Sequence, residues 1–349
     1  MPPKKTEKAA APAGSKTEPL HVGIDLGTSR SAAVAANGER AWVESWVGWP
    51  KDFVARKMLG RDVLFGEEAV KHRLSLDLVR PLEGGVIREG SARDQEAVHE
   101  LIRHLLEAVR PVEGQPVRAA VGVPAEALRA SREAVRDIVR DFADAIMIVS
   151  EPFAVAYGVD ALDGALVIDI GAGTADLCVM HGTMPGEDDQ RTLTLAGDYV
   201  DRQLVRRLEE RYPDVRFSET VLRQLKERSA FVGEPDGPLT VRGAGGDGLA
   251  DFDVTADVRA ASESVVPGLV EAALDLLSRY EPDFQETVRR NVFLAGGGSQ
   301  VRGLADLIEE RLGETGPARV RTVEDPLYAG AEGALALAQD MPEAYWEDL

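Results

Sequence analysis

Residues 22–34 read VGIDLGTSRSAAV, and residues 166–179 read LVIDIGAGTADLCV. Placing Asp25 on Asp169 also places Gly27 on Gly171, an offset of 144 residues. Each stretch is an apolar run, an aspartate, a turn of glycine and small hydroxyl residues, and a second apolar run. That pattern predicts a strand–turn–strand hairpin. One Asp-x-Gly hairpin says little by itself. Two in matching contexts predict a chain made of two similar halves that face each other.

A tight Gly/Ser/Thr turn leaves backbone N–H groups free and lets a polyanion approach the main chain. Gly27, Thr28 and Ser29 on one side, with Gly171, Gly173 and Thr174 on the other, are therefore expected to clamp one polyphosphate. An aspartate closing each strand, Asp25 and Asp169, suits Mg²⁺ held beside the phosphates. A third cluster, Gly296-Gly297-Gly298, follows the apolar run Val292–Ala295 and precedes Val301, Leu304, Leu307 and Ile308. It predicts a backbone passing close to a flat or anionic ligand at a helix start. Its next glycine is Gly303, so the G-x-G-x-x-G spacing of a dinucleotide site is absent. Ser150-Glu151-Pro152 follows another apolar run and opens a helix, which places a carboxylate where it can orient a water for in-line attack.

Around these motifs the chain reads as mixed α/β. Strands are expected at Val22–Leu26, Val117–Val123, Ile146–Val149, Ala165–Ile170 and Val292–Ala295. Val98, Leu101, Ile102, Leu105, Leu106 and Val109 form one helical stripe within Arg93–Val109. Ser131 and Ser218 are expected to cap helices, Ser262–Arg279 to be one long helix, and Asp325-Pro326 to start the last one. The Gly- and Asp-rich stretches 233–238 and 243–248 are expected to be loops. Residues 1–19, rich in Pro, Ala and Lys, read as a disordered basic tail.

Taken in order, Gly23-Ile-Asp-Leu-Gly-Thr-Ser29, Ser150-Glu-Pro152, Asp169-Ile-Gly-Ala-Gly-Thr174 and Gly296-Gly-Gly-Ser299 resemble the actin superfamily of ATPases, from about His21 to Leu337. The resemblance implies an actin-like fold (a duplicated, RNase H-like α/β architecture) with two domains, each bearing a smaller subdomain, around a central nucleotide cleft. It places domain I at 20–150 plus 326–349, with an insertion near 45–95, and domain II at 151–325, with an insertion near 198–260. It further implies ATP or ADP with Mg²⁺ as ligands, Glu151 as the catalytic acid, and Asp169 beside the metal and the attacking water. Asp25 would be the other metal residue. The chain has eight lysines, and beyond Lys71 the only one is Lys226. In Arg223-Gln-Leu-Lys226-Glu227 the resemblance sets Lys226 and Glu227 against the adenosine. Within the superfamily, 47–61 (VGWPKDFVARKMLGR), Ser75–Leu78, Ser150–Phe153, 182–186 (GTMPG), Ala196–Tyr199 and Tyr345-Trp346 look like the magnetosome-associated branch, the MamK family. That branch implies head-to-tail self-assembly into cytoskeletal filaments that ATP hydrolysis turns over, with cargo or adaptor proteins unspecified. Arg30 stands where a histidine is expected and Ala175 where a second threonine is.

Composition narrows the alternatives. The net charge is −20, with the first 19 residues at +2, so the body would repel a phosphate backbone and direct nucleic-acid binding is not expected. One cysteine, Cys178, excludes a disulfide framework or a four-cysteine zinc site. No apolar run approaches a membrane span and no secretory leader is visible, which points to the cytoplasm. A monomeric phosphotransferase or polyphosphatase on the same fold is the competing reading.

Overall fold

The computed structural model describes residues 18–348 apart from Glu89, Pro111, Glu113, Leu128 and Asp247. Most of the predicted basic tail, residues 1–17, lies outside the described residues.

Two sheets dominate. The first holds β1 (Leu20–Leu26), β2 (Arg30–Ala35), β3 (Arg40–Glu44), β4 (Val117–Val123) and β5 (Ala145–Ser150), in the order β5-β4-β1-β2-β3, with the short strand Glu347–Asp348 on the β5 edge. The second holds β6 (Asp163–Ile170), β7 (Ala175–His181), β8 (Gln190–Leu193), β9 (Val292–Ala295) and β10 (Val320–Thr322), in the order β8-β7-β6-β9-β10. The two orders are the same plan. In each, the Asp-bearing strand and the two that follow it form an antiparallel run of three, and two parallel strands stack against its other side. Register is matched as well: Asp25 lies opposite Ala32 on β2 and Gly122 on β4, and Asp169 lies opposite Asp176 on β7 and Ala295 on β9. The repeat seen in two hairpins thus extends to five strands on each side.

The central strands are buried on both faces, which explains their near-continuous apolar runs. Helix α1 (Ala92–Val109) lays Val98, Leu101, Ile102, Leu105 and Val109 on the first sheet. Its N-cap Ser91 accepts from the Asp94 amide, and buried Asp94 holds Arg88 at 2.9 Å. Helix α2 is Arg129–Val139; α3 (Glu151–Gly158) begins where β5 stops. Helices α4 (Gly197–Arg211) and α5 (Glu219–Ser229) pack on each other beyond β8, and α6 (Leu304–Gly313) covers the β10 side of the second sheet. The last helix, α7 (Ala329–Asp340), packs on α3 and on β1. A Cβ at Gly333 would sit 1.8 Å from the Ala154 carbonyl oxygen, so these two helices cross at backbone contact. Together with Phe153, Val167, Met180 and Leu337 they make one apolar layer shared by both sheets. Small three-stranded and two-stranded sheets lie between β3 and α1, and a hairpin (Thr240–Gly245 with Gly248–Asp253) follows α5.

Four local expectations need correction. Ser131 is inside α2, which starts at Arg129 and is supported there by an Arg129–Glu133 pair at 2.7 Å. The stretch Ser262–Arg279 is the tail of one helix (Thr255–Glu263) and a second one (Val266–Leu277). Pro267 has no N–H to give the preceding turn, and Ser264 donates its hydroxyl to the Ala261 carbonyl, so the ladder breaks between them. Asp325-Pro326 forms a turn one step before α7, its Asp325 carbonyl accepting from Tyr328 and Ala329. Most of 243–248 is strand, not loop, because its glycines fall at the tip of the hairpin, where Gly245 faces Gly248.

Candidate functional site

The exit ends of β1 and β6 open onto one cavity of about 530 Å³. Asp25, Gly27, Thr28, Ser29, Glu151, Asp169, Gly171, Gly173, Thr174, Lys226, Glu227 and Gly296–Gly298 all line it. The duplicated fold dictates this convergence. Each Asp is the penultimate residue of a central strand, and each glycine loop follows that strand into the space between the sheets.

The loops touch directly. A Cβ at Gly173 would fall 2.3 Å from Thr28 Oγ1 and 2.9 Å from the Gly84 Cα, so only glycine fits where the two sides meet. Thr28 Oγ1 accepts from the Gly85 amide at 2.8 Å, which fixes the first loop against the Gly84-Gly85 turn. Replacing Gly173 with alanine is expected to wedge these walls apart and weaken nucleotide binding about tenfold, read by equilibrium titration with a fluorescent nucleotide. Unchanged affinity would show that the loops do not need to meet.

Three carboxyls, Asp25, Asp169 and Glu151, line the floor, and a fourth, Asp176, is buried beside Asp169 on the neighbouring strand. Burial pushes Asp25 up to about 6. Burial first, and then the charges of Asp25 and Asp176, hold Asp169 well above the ordinary range. Glu151 is raised well above its usual value by burial, then by Asp25, Asp176 and Asp169, and its Oε1 is a buried oxygen without a hydrogen-bond partner. Asp176 is raised by burial although Thr192 Oγ1 (2.6 Å) and the Ala125 amide (2.8 Å) donate to it. So many acids in one place fit a cation that arrives with its own ligands. Among the described residues no group of three or more His, Cys, Asp or Glu side chains is arranged to hold a metal ion unaided. The donor set therefore fits Mg²⁺, which takes one or two carboxylates and fills the rest of its shell with waters and phosphate oxygens.

The far end of the cavity is less polar: Val200, Val265, Val301, Leu304 and Leu327 line it beside Lys226 and Glu227. Lys226, on α5, donates to the Gly197 carbonyl and pairs with Asp201, both at 2.9 Å. It is thus held by α4 as well as presented to the cavity. The glycine triplet has a double origin. Gly296 has φ +71, and a Cβ there would meet Asp169 Oδ1 at 2.3 Å; one at Gly298 would meet Ile170 Cγ2 at 2.3 Å. Only Gly297 faces open space. The triplet instead opens a short 3₁₀ turn, Gly297–Gln300 with Gly296 as its N-cap, and α6 starts only at Leu304, so the triplet does not itself start that helix.

Sequence reading missed three polar residues of this region. Asp176 lay inside the quoted second hairpin, masked by its apolar neighbours. Asp198, the second residue of α4, lay in the Ala196–Tyr199 segment quoted for the resemblance but was given no role there, and Arg80, which follows the short strand Leu76–Val79, had no local signal.

Duplicated five-stranded sheets, with paired Asp-Gly hairpins and a glycine triplet around one cleft, define the actin class of fold. More narrowly, residues 20–345 match the MreB/Mbl protein family, and the chain belongs to it. Over 338 residues it is 40% identical to the actin-like protein MamK of Paramagnetospirillum magneticum, covering 96% of this chain and 97% of that one. Among solved structures it is similar to the MamK double helical filament, with 39% identity, a TM-score of 0.89, and 93% of this chain and all of that chain covered. It is also similar to a non-polymerising MamK mutant bound to AMPPNP, with 38% identity, a TM-score of 0.72 and the same coverage.

Proposed function

We propose that the protein is a filament-forming, actin-like ATPase that binds ATP with Mg²⁺ and turns its filaments over by hydrolysis. The observation that carries this reading is the meeting of the two duplicated hairpins over one acid-floored cavity. Backbone amides of Gly27–Ser29 and Gly171–Thr174 suit the phosphates, and the apolar far wall with Lys226 and Glu227 suits the base and ribose. Asp25 and Asp169 would hold Mg²⁺, which when bound neutralises phosphate charge. Glu151 takes the role of general base: its orphaned oxygen and raised proton affinity suit it to accept a proton from the attacking water. Asp169, beside it, orients that water. The alternative of a monomeric phosphotransferase is weaker, because 40% identity to a MamK runs through 96% of the chain and so includes the surfaces outside the cleft.

Self-assembly is supported by the same relatives: a MamK filament subunit superposes on this chain at a TM-score of 0.89. Actin-type assembly uses heterologous head-to-tail contacts, which build open filaments. The setting we infer is a cytoplasmic cytoskeleton that organises or positions organelles such as magnetosomes; among the described residues no helix is long and apolar enough to cross a membrane. The test is light scattering with negative-stain imaging after ATP and Mg²⁺ are added to purified protein. Filaments that appear with ATP and shorten as phosphate is released are the expected result. Phosphate release without any assembly would favour the monomeric enzyme.

A further inference from the structure

One ion pair spans the cleft away from the reacting groups. Arg80 presents two nitrogens to Asp198, Nη1 to Oδ2 at 3.0 Å and Nη2 to Oδ1 at 3.2 Å. Its third donor, Nε, gives a hydrogen bond to the Thr28 carbonyl at 2.9 Å. Asp198 is in turn anchored by its own amide, which donates to the Ala172 carbonyl at 2.7 Å. An unbroken path therefore runs from the first glycine loop (Thr28) through Arg80 and Asp198 to the second (Ala172). Both side chains are well shielded, 17% and 23% exposed, and neither lines the cavity. A two-pronged guanidinium–carboxylate pair fixes geometry as well as charge, and the planar fork leaves Nε free for a third partner. The remaining cation near Asp198, Arg223, is at 4.0 Å and pairs with Asp201 at 3.3 Å instead.

We propose that Arg80 is a positioning residue: with Asp198 it straps the two phosphate loops at one spacing and so sets how long a bound nucleotide is retained. This rests on the ATP-binding reading of the cleft. Arg80 touches no reacting atom, so its loss acts on nucleotide release before it acts on cleavage.

The experiment is stopped-flow release of mant-ATP, bound with Mg²⁺ to the full chain, chased with unlabelled ATP. Arg80→Ala and Asp198→Asn are each expected to speed release about tenfold, the range of hydrogen bonds to a charged partner. Because both remove one strap, the double variant is also expected to release about tenfold faster, not a hundredfold. Single-turnover cleavage of nucleotide already bound should change less than about threefold, a split that general loss of structure does not give. Release at the wild-type rate in either single variant, or independent effects that multiply in the double, overturns the proposal. Should Arg80→Ala fail to fold, Arg80→Lys replaces it: an ammonium cannot hold Asp198 by two prongs and Thr28 at once, so release about threefold faster is expected, and a wild-type rate overturns the proposal. Wild-type protein that fails to hold mant-ATP at all would instead remove the ATP reading, and this inference with it.

Discussion

Glu151→Gln is expected to slow phosphate release ~100–1,000-fold, the usual contribution of a positioned general base, while nucleotide affinity stays within about threefold of wild type. The reasoning is local. Glu151 is the first residue of α3, delivered to the cavity by β5, and Gly122 of the neighbouring strand leaves room for it: a Cβ at Gly122 would already lie 3.3 Å from Glu151 Cγ. The glutamine keeps that shape and takes away the capacity to accept a full proton. Binding should survive because, in the proposed reading, backbone amides of the two glycine loops take the phosphates and Asp25 and Asp169 hold the Mg²⁺, and Glu151 has no part in either. If hydrolysis drives turnover, the variant should also assemble with ATP and then fail to disassemble. A phosphate-release assay run beside light scattering checks both halves. Wild-type phosphate release would take Glu151 out of the reaction, and loss of binding would make it a structural acid instead.

The parts of this site that sequence made legible are those written in short, repeated segments. Asp25 and Asp169 could be aligned because a hairpin needs only about a dozen adjacent residues to declare itself, and its repeat supplies the check. The five-strand duplication was only half visible, since β4 and β9 are short apolar runs that pair with strands about a hundred positions away, and β5 and β10 each join them only across an intervening helix. Polar partners separated along the chain left no trace. Arg80 and Asp198 are 118 residues apart and Asp176 and Ala125 are 51 apart, so no pattern within a window relates them. Helix starts were misplaced where one competing group decided the outcome, as with Pro267 and the Asp325 turn. The glycine triplet shows a subtler gap. Ligand approach explains Gly297, but Gly296 and Gly298 are glycines because β6 runs against them.

Asp25→Asn is expected to act in opposite directions on the empty and the loaded protein. Asp25 sits on the cavity floor with its carboxyl pushed up to about 6 from an ordinary 3.8, so the native state holds a proton there more tightly than the unfolded chain does. Stability linked to this group is therefore fully present below about pH 4, falls as pH rises through the window from ~4 to ~6, and is absent above it. At pH 7.5 the charged aspartate costs at most about 3 kcal/mol, and about 1–2 kcal/mol once water reaching the cavity wall is allowed for. Asparagine carries no such charge, so the nucleotide-free variant should melt a few degrees higher at pH 7.5, with the gain disappearing near pH 4. Glu151 and Asp169 add to the effect, since removing the Asp25 charge also relieves them. With Mg²⁺ and ATP the order should invert. The variant is expected to lose ~10–100-fold in Mg²⁺-dependent nucleotide affinity, and so to gain less from the ligand in a thermal-shift titration than wild type does. A variant that melts lower than wild type without ligand at pH 7.5 would show that Asp25 supports the fold rather than the site. One that responds to Mg²⁺ as wild type does would remove it from the metal. The predicted crossing has one physical source: burial and crowding make the carboxylates of the empty cleft costly, and a cation arriving with phosphate would relieve them, so what weakens the free protein would tie its stability to the nucleotide.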